Sequence, residues 1–319
     1  MLSRRTLLFA FPAIGSLWAT RGAAQSYPVR PVRFVVPVAP GAATDLVARQ
    51  VSVSLNRLWN GSAVVENRPG AGGAVGTDVV AKSPPDGYTL LFTFSSHFTN
   101  PWVERTPYNV ITDFEPVARL ASTALVMVTA TDSPFKTVRD VIAAARKLPG
   151  SVTYASAGDG TPSHMCGALL NATAGIRLNH VPYKNGSLAM IETANGQVQL
   201  AFSGPAALPL IRAGKLRVLA VTSAKRSAVM ADAPTMNKAA GIDGYDIVSP
   251  VWAFAPKGTS AAIVGKLSEA FGVIAASSEF KAFCAAQSLD PDFQSAAAVQ
   301  AGLAAEAEKW RRLVQLTRG

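Results

Sequence analysis

Short apolar runs alternate along this chain with longer segments in which apolar side chains recur at three- to four-residue spacing. The short runs predict buried strands and the longer segments predict amphipathic helices. Strands are expected at Arg33–Val38, Ala63–Glu66, Thr89–Phe94 and Ala124–Ala130, and again at Val152–Ala155, Leu178–Tyr183, Val198–Phe202 and Leu216–Thr222. Helices are expected at Asp45–Leu58, Gly73–Lys82, Val138–Lys147, Pro162–Ala174, Ser187–Asn195, Ala261–Ala276, Glu279–Gln287 and Ala296–Leu316. Thr137 is placed to cap the helix at Val138, which stops before Pro149-Gly150. Alternation of strand and helix argues for an α/β architecture.

One junction carries most of the chemistry. The run Phe34-Val35-Val36-Pro37-Val38 leads through the small residues Gly41-Ala42-Ala43-Thr44-Asp45 into a helix. A helix start presents unpaired N–H groups and the positive end of a dipole, so it attracts anions. Gly and Ala let a ligand approach that backbone closely. The arrangement recurs at Val152–Ala155, followed by the loop Ser156–Gly160 and the helix start Thr161-Pro162-Ser163-His164. Two such helix starts suggest a cleft that grips a carboxylate from both sides. Ser95, at the end of a predicted strand, faces the same crevice, because strand C-termini line it in open α/β sheets.

Composition bounds the rest. The 319 residues suffice for two lobes with their own cores, and 49% hydrophobic with 16% charged content describes a globular chain. Residues 1–25 read as a leader: Arg4-Arg5, an apolar run from Leu7 to Leu17, and a small-residue cleavage region near Ala24–Ser26. Ser3-Arg4-Arg5-Thr6 is compatible with twin-arginine export or with an ordinary secretory signal. Either route implies a periplasmic protein. Removing Arg4, Arg5 and Arg21 lowers the formal charge from +10 to +7. The Lys and Arg are scattered rather than gathered into a stripe, which argues against nucleic acid. Cys166 and Cys284 fall in separate predicted helices and are expected as buried free thiols. The chain is expected to cross between lobes near Leu120–Leu125 and to return near Ala224–Val229. This gives lobe 1 as 26–123 plus 228–319 and lobe 2 as 124–227, with the C-terminal helices on lobe 1.

Several ordered motifs together carry a family resemblance. They include Val36-Pro37-Val38-Ala39-Pro40-Gly41-Ala42-Ala43-Thr44-Asp45, Val65-Glu66-Asn67-Arg68-Pro69-Gly70 and Pro85-Asp86-Gly87-Tyr88. Further on come Asp113-Phe114-Glu115-Pro116-Val117, Gly158-Asp159-Gly160-Thr161-Pro162-Ser163-His164, His180-Val181-Pro182-Tyr183-Lys184 and Asp232-Ala233-Pro234-Thr235-Met236. The chain resembles the substrate-binding components of tripartite tricarboxylate transporters, the Bug receptors, from about Pro31 to Trp310. The resemblance implies a two-lobed periplasmic binding-protein fold, type II-like, with a ligand cleft between the lobes. It implies a monomer that binds a small organic acid, without cofactor or chemistry, and delivers it to membrane transporter subunits. It places Ala39, Gly41, Ala42, Thr44 and Asp45 on the first-lobe grip, and Ser156, Gly158, Thr161 and His164 on the second.

Three positions depart from the family pattern. Val38 stands where an aromatic is usual, Gly41-Ala42 replaces a paired glycine, and Ser203-Gly204 replaces an Asp or Asn. A smaller Val38 leaves room at the cleft floor. Losing an acid at Ser203 removes an acceptor for a ligand ammonium, which favours a plain organic acid over an amino acid.

Each candidate also has a structural role to weigh. Asp45 can serve the helix dipole, Thr44 and Thr161 can cap, and His164 can simply pack. His97 and His180 read as structural, and Lys184 as a solvated surface cation. Gly70–Gly76 reads as a glycine turn, because its spacing departs from G-x-G-x-x-G and Pro69 precedes it. An exported hydrolase would need an oriented nucleophile and base, but Ser163 and His164 are adjacent on a helix and point apart. There is no G-x-S-x-G, H-E-x-x-H or C-x-x-C motif. A ligand-sensing module for a membrane sensor kinase remains the alternative to a transport receptor.

Overall fold

A computed structural model describes residues 27–61, 63–103, 105–227 and 230–318. The expected leader and its cleavage region near Ala24–Ser26 lie outside the described residues. The chain opens with β1 (Val32–Val36), α1 (Ala43–Trp59), β2 (Ala63–Asn67), α2 (Ala74–Ala81), β3 (Thr89–Thr93), α3 (Ser96–Val103) and β4 (Phe114–Ala124). It continues through β5 (Val126–Ala130), α4 (Val138–Lys147), β6 (Thr153–Ser156), α5 (Pro162–Ala174), β7 (Asn179–Pro182), α6 (Gly186–Ala194), β8 (Leu200–Ser203), α7 (Leu208–Arg212) and β9 (Leu216–Val221). It ends with α8 (Met236–Ala240), β10 (Val248–Pro256), α9 (Ala261–Ala276), α10 (Ser278–Ala286), β11 (Asp290–Ser295) and α11 (Ala296–Leu316).

These elements build two α/β lobes, each around one mixed sheet. The first sheet runs β11-β4-β10-β3-β1-β2 and the second β7-β6-β8-β5-β9. In each, three parallel strands adjoin antiparallel ones: β2, β1 and β3 in the first, β7, β6 and β8 in the second. Parallel strands direct their C-terminal ends, and the helices that follow, to one edge of the sheet. Val36 pairs with Asn67 at that edge in the first lobe, and Ser156 with Pro182 in the second.

Local chemistry explains the helix starts. Thr137 and Asp140 form a reciprocal capping box on α4. Thr161 caps α5, Pro162 occupies its first turn, and Gly175 closes it in the left-handed region. Phe34, Phe92 and Phe271 fill the first core, with Phe34 stacked on Phe92 at 4.5 Å.

The lobes join at a buried knot. The segment expected as one strand at Ala124–Ala130 is two: β4 ends in the first sheet and β5 begins in the second, with Leu125 between them. Leu125 N–H donates to Thr222 Oγ1 at 2.9 Å, and that hydroxyl donates to Ile247 O at 2.7 Å. Thr222, just after β9, thus ties the β4–β5 crossing at Leu125 to the return into β10 at Ile247. The segment after β9 stays with the second sheet, where α8 packs on α4 and β9. The C-terminal helices divide their contacts. α9 packs on α1 and β4 of the first lobe, whereas α11 touches both α3 and α5 and buries Trp310 between the lobes. Cys166 and Cys284 are buried free thiols in different cores.

Candidate functional site

The first-lobe turn follows β1. Gly41 sits at φ 87°, and a side chain there would meet nothing within 4 Å, so the turn opens on free space. Ala42 is the N-cap of α1, and no side chain caps this helix. The amides of its first turn are therefore available to a ligand. Thr44 is buried inside the first turn and is not the cap. Ala39 and Gly41 are exposed, while Val38 packs against the first core.

Asp45 supports the turn from beneath. Its Oδ2 accepts from Gly41 N–H at 2.8 Å and from Arg49 Nε at 3.0 Å, and its Oδ1 accepts from Asn67 Nδ2 at 2.8 Å. Asn67 Nδ2 also lies 3.0 Å from Val38 O, and its Oδ1 accepts from Arg49 Nη2 at 2.9 Å. Burial opposes the charged form of Asp45, but the bonds from Arg49, Gly41 and Asn67 outweigh it and hold the carboxyl below its ordinary value. Asp45 is thus a positioning residue: its lone pairs are engaged by the protein. Asn67 is a site residue that sequence reasoning passed over, although it lies inside a quoted motif.

The second-lobe loop is closed on itself. Ser163 Oγ accepts from Ala157 N–H at 3.0 Å, Ser156 Oγ from Gly158 N–H at 3.0 Å, and His164 Nδ1 from Gly160 N–H at 3.2 Å. Thr161 Oγ1 donates to Gly158 O at 2.6 Å and accepts the His164 amide at 3.4 Å. The loop was expected to offer free amides like the first. Here its own hydroxyls and imidazole engage the amides of Ala157, Gly158 and Gly160, and Thr161 and His164 serve as cap and acceptor. Gly158, at φ 120°, is the turn's glycine.

Behind this loop stands a histidine pair. His164 stacks on His180 of β7 with centroids 3.7 Å apart and planes 7° apart. His180 Nε2 lies 2.7 Å from Ser156 Oγ, and its Nδ1 is 3.5 Å from the exposed Asp159 carboxylate. Burial and the neighbouring His164 push the His180 value down to about 4, against the pull of Asp159. Burial likewise lowers His164, with Asp159 opposing. Asp159 and the two rings converge closely enough to be tested as a metal site. Parallel rings at stacking distance cannot both direct an in-plane lone pair at one ion, so the cluster does not fit a metal. His180, read from the sequence as structural, is thus part of the loop's support.

The remaining candidates lie on a seam between the lobes. Ser95 is buried, its carbonyl accepts from Phe98 N–H at 3.0 Å, and its hydroxyl is 3.5 Å from Ser249 Oγ. Ser249 pairs with Thr123 across β10 and β4. A methyl on Gly204 would lie 3.2 Å from Thr123 Cγ2, which brings Ser203-Gly204 of the second lobe to the same seam. The loops also approach at α3, where a methyl on Gly160 would sit 3.1 Å from Val103 Cγ2.

Comparison with known proteins gives the family and the fold. Residues 47–318 match the model of the tripartite tricarboxylate transporter family receptor. Protein BugT of Bordetella pertussis is 34% identical over 316 residues, covering 95% of this chain and 96% of that protein. An R. palustris protein solved with adipate superposes with a TM-score of 0.79 at 32% identity, covering 91% of this chain and 98% of the other. MatC from Rhodopseudomonas palustris, solved with bound malate, gives a TM-score of 0.73 at 26% identity, covering 90% of this chain and 100% of the other.

Proposed function

This chain belongs to the tripartite tricarboxylate transporter family receptors, and from that premise we propose that it captures a small dicarboxylate in the periplasm and delivers it to membrane transporter subunits. One observation carries the reading: the uncapped first turn of α1 beside the open Gly41 turn. Asp45 holds the Gly41 turn from behind through its amide, the first-turn amides of α1 have no side-chain cap, and a carboxylate supplies them an acceptor. The adipate and malate bound to two similar proteins support that class. Ser203, in place of an acid, disfavours an amino-acid ammonium.

The ligand-binding set is Val38, Ala39, Gly41, Ala42 and Thr44 on the first lobe, with Asp45 behind them. Ser95 lies on the seam, and Ser156, Gly158, Thr161, His164 and Ser203 lie on the second lobe. The lobes divide near Leu125, with the second extending through α8 to about Ile247, where the Thr222 knot lies. Ligand joins the two walls of a monomer, stabilises the closed form, and that form is what the transporter recognises. No bond is made or broken. A thermal-shift screen over organic acids and amino acids tests this. A dicarboxylate should raise the melting temperature, and Gly41→Val should abolish the rise, because a branched side chain is strained at that φ and fills the approach. A rise with amino acids alone would overturn the ligand class.

A further inference from the structure

A groove of about 620 Å³ lies where the flanks of the two lobes meet, between α7 of the second lobe and α10 of the first. Its floor is apolar: Leu208, Ile211 and Met230 come from one lobe, Leu289 and Pro291 from the other. Leu208, Met230 and Ser288 also line a small apolar recess that reaches Ala124, Val126 and Val221 at the lobe junction. No residue of the Gly41 turn or of the α5 loop lines either space. Mostly apolar clefts of about 300–1,000 Å³ with a few placed polar groups are the usual form of a small-molecule site.

The placed groups here are two cations. Arg212, in the last turn of α7, and Lys281, on α10, both line the groove and are exposed. Among the described residues, no ion pair or hydrogen bond engages either side chain. Other surface cations nearby are paired: Arg57 Nη1 lies 2.7 Å from Glu279 Oε2, at the start of the same α10. No acid lines the groove. Asp290, between Leu289 and Pro291, accepts from Ser227 Oγ at 2.9 Å. A lone surface cation is ordinarily just solvated. Here two come from different lobes onto one apolar floor, and that combination complements an anion with an apolar tail.

We infer that this groove is a second ligand site, separate from the Gly41 cleft, which takes a soluble anionic amphiphile: a single apolar chain ending in one acidic group. Arg212 and Lys281 receive the acidic head. The chain lies along Leu208, Ile211 and Met230 toward the recess at the lobe junction. Burial of the chain supplies the affinity, and the cations fix its direction. The occupant touches both lobes and so bridges them, close to the crossing at Leu125.

Equilibrium dialysis of the full mature chain against octanoate tests this, with 1-octanol as the uncharged analogue. Octanoate should bind saturably, and 1-octanol about tenfold more weakly. Arg212→Gln combined with Lys281→Gln should erase that preference; it alters exposed side chains only, so the fold is kept. Ala285→Glu places a carboxylate in the groove, four residues from Lys281 and at an exposed position, and should weaken octanoate about tenfold or more. Gly41→Val, which fills the cleft, should leave octanoate affinity within about twofold, because the sites are distinct. The site is overturned if octanoate fails to bind the unaltered protein, if 1-octanol binds as well, if neither groove variant changes octanoate affinity, or if Gly41→Val abolishes it. None of these outcomes depends on adipate, so the groove and the dicarboxylate cleft stand or fall separately.

Discussion

His164 and His180 stack face to face, their ring centroids 3.7 Å apart, although one belongs to α5 and the other to β7. Two imidazolium charges at that separation would repel strongly. Burial already depresses both rings, His180 to about 4. Both are therefore neutral at physiological pH, and the second loop offers a ligand no imidazolium charge. Dicarboxylate affinity, followed by calorimetry, should be flat between about pH 6 and 8. Affinity that climbs steadily as pH falls through that window would mean that a ring becomes charged in the complex.

Asp45 works on the ligand through Gly41. Asp45→Ala frees the Gly41 amide and leaves Arg49 and Asn67 without their shared acceptor. The loss should be about 2 kcal/mol of stability. Ligand affinity should fall as well, because the turn that presents the α1 amides loosens. Urea unfolding together with calorimetry reads both; unchanged stability would remove Asp45 from its supporting role.

Gly167 is required by Tyr154. A methyl on Gly167 would fall 2.2 Å from Tyr154 Cζ. Tyr154 OH donates to His164 O at 3.2 Å, so the tyrosine braces the second loop. Gly167→Ala should displace the ring and destabilise the protein by about 1–3 kcal/mol. Denaturant midpoints check this, and a midpoint equal to that of the parent would contradict the packing.

His97 predicts an acid-sensitive fold. It is fully buried, stacks on Phe254 at 4.8 Å, and its Nε2 lies 3.1 Å from Val110 O. Burial lowers its value to about 4, with the Val110 carbonyl opposing. Once unfolded, the ring takes up a proton near its ordinary value of about 6.5. Between those limits the unfolded chain binds more protons, so stability is full above about pH 6.5, falls as pH drops toward 4, and levels off below. The contribution is roughly 3 kcal/mol. Urea titrations of the parent and His97→Phe should show a shallower pH slope for the variant; equal slopes would exclude His97 as a source.

The sequence made the parallel halves of both sheets readable, because β1, β3 and β6 are compact apolar runs followed by small-residue turns and capped helices. α4, α5, α9 and α11 have the expected bounds, each with a Thr or Ser cap. β4, β10 and β11 were not legible. Pro116 and Arg119 interrupt β4, Pro250 interrupts β10, and β11 reads Asp-Pro-Asp-Phe-Gln-Ser, a polar strand at the sheet edge. α3 was hidden by Pro101 inside it. In the candidate site, the small-residue turn at Gly41 was visible, but the partners of its side chains were not. That Asp45 is consumed by Gly41, Arg49 and Asn67 depends on β2 lying beside β1. That His180 supports the second loop depends on β7 lying beside β6. Neither pairing is local in sequence.

The central claim is that the first-turn amides of α1 receive a carboxylate. Amide chemical-shift mapping of ¹⁵N-labelled protein during titration with adipate tests it most directly. The account predicts the largest shifts at Ala43 and Thr44, the first two residues of α1. Saturable binding that leaves the Ala43 and Thr44 amides unmoved, with the perturbed residues gathered elsewhere on the fold, would contradict it.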